Sequence, residues 1–432
     1  MSSEPILASL FPDTAVLHNQ GVSVGGVELR ELAETYGTPL FVYDEETMRS
    51  RSREAANTFD DGVAFASKSF LCGAMARLAF EEGLCVDVAT GGELDIVLRS
   101  GVPANRIIMH GNNKSDEEIK QAIAAGVHRL VVDNFDEIDR LGELVSPSSP
   151  LNALVRVTPG VEAHTHEYVR TGQEDTKFGF SVATGDARRA ISMLREVPGL
   201  TLHGVHAHIG SQIFEVTGFR ESMAVLGEFT RDDDFDELCV GGGLGVAYIE
   251  GESAPSITEW AEAMRASAKE CALPVDLRLL GEPGRAIVAQ AGITIYTVGV
   301  VKPVTQRTYM AVDGGMSDNP RPVLYGSGYE AFDVDFPLAR RPQEVRLVGK
   351  HCESGDVLID EAFLPEETKP GSLVATPVTG AYGYSMASNY NRVPRPAVVF
   401  VRNGETREVL RRETFDDLAR LEMSNGIPPT VH

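Results

Sequence analysis

The chain has 432 residues, with 39 Lys+Arg against 63 Asp+Glu for a formal net charge of −24, and it is 43% hydrophobic and 24% charged. At about 100 to 200 residues per domain, this length implies two or three domains, or one large barrel with an appendage. So acidic a surface repels phosphate backbones and anionic lipid heads, which makes nucleic acid and membranes poor partners.

In chain order, the opening MSSEPILASLFPD lacks a basic segment followed by a long apolar stretch, and nowhere do eighteen apolar residues run together, so neither secretion nor membrane spanning is supported. Residues 1–43 hold short runs such as VSVGGVEL before ELAETYG and are assigned to a β-rich domain that resumes late in the chain. From residue 60, short apolar or β-branched runs end in small or polar residues, with helix-length amphipathic stretches between them. Strands are expected over Gly62–Ser67, Leu84–Val88, Arg106–Met109, Arg129–Val132, Ala153–Val157, Leu202–His206, Glu237–Val240 and Asp276–Leu280. Eight strand-helix units over residues 44–290 match the usual size of about 250 residues for a parallel (β/α)₈ TIM barrel, with a doubly wound sheet as the alternative. Between Arg156 and His206 the extra polar sequence HTHEYVRTGQEDTKFGF, which contains Glu174, reads as a long loop over the barrel mouth followed by a helix. From residue 291 the pattern changes to strands with short connections, a separate mostly β domain in which Arg402-Asn403-Gly404 is a hairpin turn.

In such a barrel the reactive groups gather where strands run into βα loops. The first five strand ends carry Lys68, Asp87, His110, Asp133 and Arg156, spaced 19, 23, 23 and 23 residues apart, which leaves room for one strand, loop and helix each. Lys68 follows the apolar run GVAFAS, which is expected to bury its stem and to lower its pKa by desolvation, making the amine a usable nucleophile. Taken alone, a strand-end lysine is more often solvated and structural. Gly241-Gly242-Gly243-Leu244-Gly245 and Glu282-Pro283-Gly284-Arg285 follow strands seven and eight, where barrels commonly bind phosphate. The glycines let backbone N–H groups approach an anion and Arg285 adds a charge. A mouth lysine beside such a cradle points to a phosphorylated aldehyde. Pyridoxal phosphate needs a Schiff-base lysine, a phosphate site and an acid on its ring nitrogen, and Glu282 suits the last role.

His208, in HAHIGSQ, is placed to stack on a pyridine face while Ser211 donates to phosphate. The pairs His206/His208 and His164/His166 are weak metal candidates, since no carboxylate or cysteine completes either set, and no metal is expected. Cys72, Cys85, Cys239, Cys271 and Cys352 are odd in number and lack C-x-x-C or Cys/His finger spacing, which argues against a disulfide framework and structural zinc and fits a reducing cytoplasm.

Further motifs follow in order along nearly the whole chain: YGTPLFVYDEE, FASKSF, VDVATGGEL, HGNNKS, EDTKFGF, HAHIGSQIF, GGGLG, EPGRAI, VDGGMSDNPRPVLYG, GKHCESGDVL and GAYGYSMASNYN. GGGLG alone is unspecific; HCESGD with MSDNPRPVLYG and GAYGYSMASNYN is highly specific. With these motifs the sequence resembles the fold-type III pyridoxal-phosphate decarboxylases, which have an alanine racemase-like barrel, and most closely the actinobacterial diaminopimelate decarboxylases. The resemblance implies that Lys68 carries the cofactor, His208 stacks on its ring and Glu282 bonds the ring nitrogen, with Asp87 supporting both lysine and ring. It implies that Ser211, Gly243, Gly284 and Arg285 lie around the phosphate and that Tyr382 contacts phosphate and substrate.

The resemblance further implies a homodimer in which the neighbouring subunit lends Cys352 as the acid that protonates Cα, together with Glu353. Arg321 and Tyr325, with Arg285, would hold substrate carboxylate, and Glu353 a distal ammonium. The activity implied is decarboxylation of meso-diaminopimelate to L-lysine and CO₂, the final step of lysine biosynthesis. The alternatives are a decarboxylase of another basic or carrier-linked amino acid, alanine racemase, which has no use for the HCESGD acid pair, and a non-catalytic cofactor-binding homologue. Such homologues usually lose the lysine or the cysteine, and both are here. Two departures stand out: Cys239 where an Asp is expected, and Gly383 where the family often has Cys. Neither position is expected to carry chemistry.

Overall fold

A computed structural model describes residues 5–6, 8–161 and 176–423. They fall into two compact units: Glu45–Ala291 with Gly380–Ser385, and the described parts of 1–44, 292–379 and 386–432.

The first unit is the barrel. Its strands are β1 (Ala64–Ala66), β2 (Cys85–Val88), β3 (Ile107–Met109), β4 (Arg129–Val132), β5 (Leu151–Thr158), β6 (Leu200–His206), β7 (Glu237–Cys239) and β8 (Arg278–Leu280). Each pairs in parallel with the next in chain order. The ring closes where Ala64 N–H donates to Gly281 O at 3.0 Å and Ala66 N–H to Pro283 O at 3.1 Å. The expected (β/α)₈ architecture is therefore present strand for strand, and closure sets aside the doubly wound alternative. The helices between strands have local causes. Over Asp116–Ala125, Ser115 and Glu118 form a reciprocal capping box, Gly126 ends the helix at φ +73°, and Ile119 and Ala122 supply the buried face.

Side chains two apart on a strand share a face. Ala64, Cys85, Ile108, Val131, Leu154, Cys239 and Leu280 form one buried apolar cluster across seven strands. Two residues further along five of those strands come Asp87, His110, Asp133, Arg156 and Glu282, so the layer that follows the cluster toward the C-terminal ends is polar. The expectations for His164, His166 and the loop at Glu174 lie outside the described residues. Beyond that stretch, Phe180–Ser181 pairs in parallel with the end of β5 and helix Asp186–Arg195 follows.

In the second unit, Leu40–Asp44 lies antiparallel to Gly292–Pro303 and parallel to Ala397–Arg402, so a segment from early in the chain sits inside the late sheet. The hairpin Ala397–Arg402/Glu405–Leu410 turns through Asn403 and Gly404, both at positive φ (+52° and +79°), as a tight primed turn requires. No helix among the described residues is long and apolar enough to cross a membrane.

β6 shifts register between Leu202 and Gly204, and a Cβ on Gly204 would lie 1.8 Å from the Glu237 carbonyl of β7. Gly204→Ala should therefore destabilise the protein by roughly 2–3 kcal/mol or more. Gly142→Ala, where a Cβ meets nothing within 4 Å on helix Phe135–Leu144, should stabilise by about 0.5–1 kcal/mol. Urea unfolding midpoints of the two variants should move in opposite directions.

Candidate active site

The polar layer converges on Glu282, just past β8 and buried. Its Oε2 lies 2.9 Å from His206 Nε2 at the end of β6, and its Oε1 lies 3.0 Å from His110 Nε2 just past β3. The Cys239 thiol donates to the same Oε1 across 3.4 Å. Burial alone would push the Glu282 carboxyl up, but His110 and His206 outweigh it and hold the group well below the usual carboxylate range. His206 is pushed down to about 4 by its own burial, so near neutral pH it is an uncharged N–H donor. Asp87, at the inward position of β2, accepts the Ser67 N–H at 3.2 Å. Burial, reinforced by the Glu282 charge, raises Asp87 to about 7.

The same cleft is built to take an anion. Gly243 stands at φ +110°, and a Cβ there would lie 2.2 Å from the Gly210 carbonyl, so only glycine lets the two loops approach this closely. Arg285 is buried and fixed: its guanidinium donates to Ser211 Oγ at 2.8 Å and Tyr248 Oη at 2.7 Å, and stacks 4.8 Å from the Tyr382 ring centroid. Tyr382 comes from the late segment Gly380–Ser385, and its N–H donates to Ser69 O at 2.8 Å. His208 accepts the Gly242 N–H through Nδ1 at 3.1 Å; burial, then the Lys68 charge, hold it well below the usual histidine value, so its ring is neutral.

Lys68 lines this cleft with Asp87, His208 and Glu282, but it is an exposed residue. The expectation that GVAFAS would bury its stem is not met. β1 ends at Ala66 and Lys68 sits on the 3₁₀ turn Ser67–Ser69, which lifts it out of the strand.

Comparisons with known proteins agree with this geometry. Residues 45–289 match the family model described as pyridoxal-dependent decarboxylase, pyridoxal binding domain. The diaminopimelate decarboxylase of Mycobacterium tuberculosis is 46% identical over 423 residues, covering 93% of this chain and 95% of that one. That of Bacillus subtilis is 46% identical over 420 residues, with coverages of 93% and 95%. The crystal structure of the M. jannaschii diaminopimelate decarboxylase, in co-complex with L-lysine, superposes with a TM-score of 0.88 at 31% identity, covering 96% of this chain and 98% of that one. The chain belongs to the diaminopimelate decarboxylase family of pyridoxal-dependent decarboxylases.

The family's cofactor fits the residues present. Gly243, Ser211 and Arg285 would hold its phosphate, Glu282 would hold its ring nitrogen, and His208 lines the same cleft. The cleft thus brings together Lys68, Asp87, His208 and Glu282, and with them Ser211, Gly243, Gly284, Arg285 and Tyr382. The remaining predicted site residues belong to the β-rich unit. There Arg321 is buried and donates to Tyr329 Oη, and helix Arg321–Tyr325 ends at Tyr325. Cys352 and Glu353 are exposed on the connection between strands Gln343–Val348 and Val357–Leu364.

Three participants were not foreseen. A carboxylate does stand beside His206, contrary to the expectation from its sequence neighbours, and with His110 and Glu282 this histidine forms a group whose ligand atoms lie within 4.8 Å of one another. His110, one of the strand-end residues, lies against the same carboxylate. Cys239, expected to be inert, touches Glu282. The available signal was strand phase: His110 and Glu282 each lie two residues beyond a member of the apolar cluster.

Asp87 titrates near 7 when folded against about 3.9 unfolded, so between these values the folded state holds a proton the unfolded state has lost. Its contribution is complete below about 3.9 and disappears as pH rises through 7. Asp87→Asn, measured by denaturant unfolding of the cofactor-free protein, should remove this decline and give a flatter stability profile from pH 4 to 7.

Proposed function

We propose that this chain decarboxylates meso-diaminopimelate to L-lysine and CO₂ with pyridoxal phosphate, the last step of lysine biosynthesis. The observation that carries the reading is one cleft lined by Lys68, a buried Glu282 anion and a glycine–arginine anion cradle, in a chain matched almost end to end by diaminopimelate decarboxylases. Pyridoxal phosphate, when bound, supplies a carbonyl carbon for amines and a conjugated ring that takes up the electron pair left when the Cα–carboxyl bond breaks.

The chain's own residues do the rest. Lys68 offers its amine at the mouth. Glu282 keeps a negative charge where the ring nitrogen would sit and so favours its protonated form. Gly243, Ser211 and Arg285 hold the phosphate end, and the uncharged His208 ring covers a face. Asp87, half-protonated near pH 7, can exchange a proton beside Lys68.

Residues 1–43 and 291–432 form the domain that completes the site in a homodimer, in which Cys352 of one copy protonates Cα at the barrel of the other, with Glu353 facing the substrate's distal ammonium. The support is that thiol and carboxylate are both exposed on one short connection. Arg321, Tyr325, Arg285 and Tyr382 would take substrate carboxylates. A site built to pair a buried arginine with a distal carboxylate rejects lysine and ornithine, which lack it. All five cysteines are free, which suits a reducing cytoplasm.

Incubated with pyridoxal phosphate, the protein should release CO₂ from meso-diaminopimelate and not from lysine or ornithine; equal release from the latter two would reject the assignment. Lys68→Ala should abolish release, and borohydride should fix the cofactor to the wild-type chain but not to this variant. Arg321→Ala should raise KM for diaminopimelate on the order of 10- to 100-fold, the loss of one charge-assisted hydrogen bond, and an unchanged KM would remove Arg321 from the substrate site.

A further inference from the structure

Cys239 ends β7, paired with His206 of β6 on one side and Leu280 of β8 on the other. Its S–H donates to Glu282 Oε1 across 3.4 Å, and both residues are buried. Burial, and then the neighbouring Glu282 charge, push the thiol well above its ordinary pKa, so it remains a protonated donor. An aspartate at this position, as the resemblance led us to expect, would set a second carboxylate against Glu282, and two such groups in contact cannot both ionise without one pKa rising strongly. The thiol adds a donor and no charge.

Resting on the decarboxylase reading above, we propose that Cys239 is a positioning residue: its S–H, donated to Glu282, weakens that carboxylate as a base and so leaves the proton it would share with the cofactor's ring nitrogen on the ring. A carboxylate that accepts more hydrogen bonds has a lower proton affinity. Glu282 already accepts from His206 on Oε2, whereas Oε1 is approached by His110 and the thiol, so Cys239 acts on the oxygen that His206 does not bond. Without the thiol, Glu282 would draw the proton toward itself and the ring would be the poorer electron acceptor.

The first test needs no cofactor. All five cysteines are free thiols, and the infrared difference between wild type and Cys239→Ala isolates the S–H stretch of Cys239. That band should lie below the frequency of a non-bonded thiol and should rise in Glu282→Gln, whose acceptor is neutral. In the loaded protein, Cys239→Ala should lower kcat about 3- to 10-fold, the worth of one hydrogen bond, and move the pH midpoint of the cofactor's visible absorbance upward. Cys239→Ser keeps a donor and should restore most of both. Thermal unfolding of the cofactor-free variants separates loss of the fold from loss of the donor. A band that ignores Glu282→Gln, or Ala and Ser variants that agree in rate and spectrum, overturns the proposal and leaves decarboxylation standing. Absence of CO₂ release by the wild type would instead overturn the reading on which it rests.

Discussion

One buried carboxylate sets the terms for the rest of the barrel. Removing an ion from water costs several kcal/mol unless it is well paired and hydrogen-bonded, and Glu282 meets that requirement with groups drawn from the ends of β3, β6 and β7. In an open sheet of the same strand order, β3 and β8 would be five strands apart, about 24 Å at ~4.8 Å per strand. Closure between β1 and β8 brings His110 to 3.0 Å from Glu282 instead. The few backbone bonds that close the ring therefore belong to the site as much as to the fold.

From that carboxylate the cleft is polarised. Asp87 and Glu282 line the same cleft in opposite states: burial, reinforced by the Glu282 charge, raises Asp87 to about 7, whereas His110 and His206 outweigh burial and hold Glu282 well below its usual range. Arg285 supplies the opposite sign. It is not a mobile cation, since Ser211, Tyr248 and the Tyr382 ring fix its plane. A flat ligand with an anionic group at one end and a protonatable nitrogen at the other can enter such a cleft in one orientation. That orientation is set before any substrate arrives, by groups that need not reorganise.

Much of this was legible because barrel strands announce themselves twice, by apolar runs and by the polar residue that ends each run. Strand ends single out Lys68 and Asp87, the loops that follow strands seven and eight single out Gly243, Glu282 and Arg285, and the structure brings all five to one cleft. What stayed hidden depends on distances across the ring, which no local pattern encodes. In sequence His206 pairs with His208, its near neighbour, while its partner in the fold, Glu282, lies 76 residues away. Cys239 stands out in the sequence only as a departure from a motif, yet a thiol and a carboxylate differ most where a second carboxylate, here Glu282, is close. The exposure of Lys68 has a local reason: the strand stops at Ala66, one residue short of the expected Ser67, and the chain tightens into a 3₁₀ turn.

The acid loop of the β-rich unit shows that exposure and looseness are separate properties. Cys352 and Glu353 face solvent, yet the connection that carries them is tied at several points. Asp356 is buried and accepts the Met316 N–H at 2.6 Å and the His351 N–H at 2.9 Å, so one carboxylate spans two loops. Lys350 N–H donates to Gly314 O, His351 Nε2 sits 2.9 Å from Ser317 Oγ, and Cys352 N–H donates to Asn391 Oδ1. The loop braced in this way is the one that leads into Arg321. A proton donor that acts on another chain has to project from its own surface, and a projecting side chain keeps its aim only if the backbone beneath it is fixed. The loop that leads into Arg321 and the connection that carries the proposed donor thus brace one another within the β-rich unit.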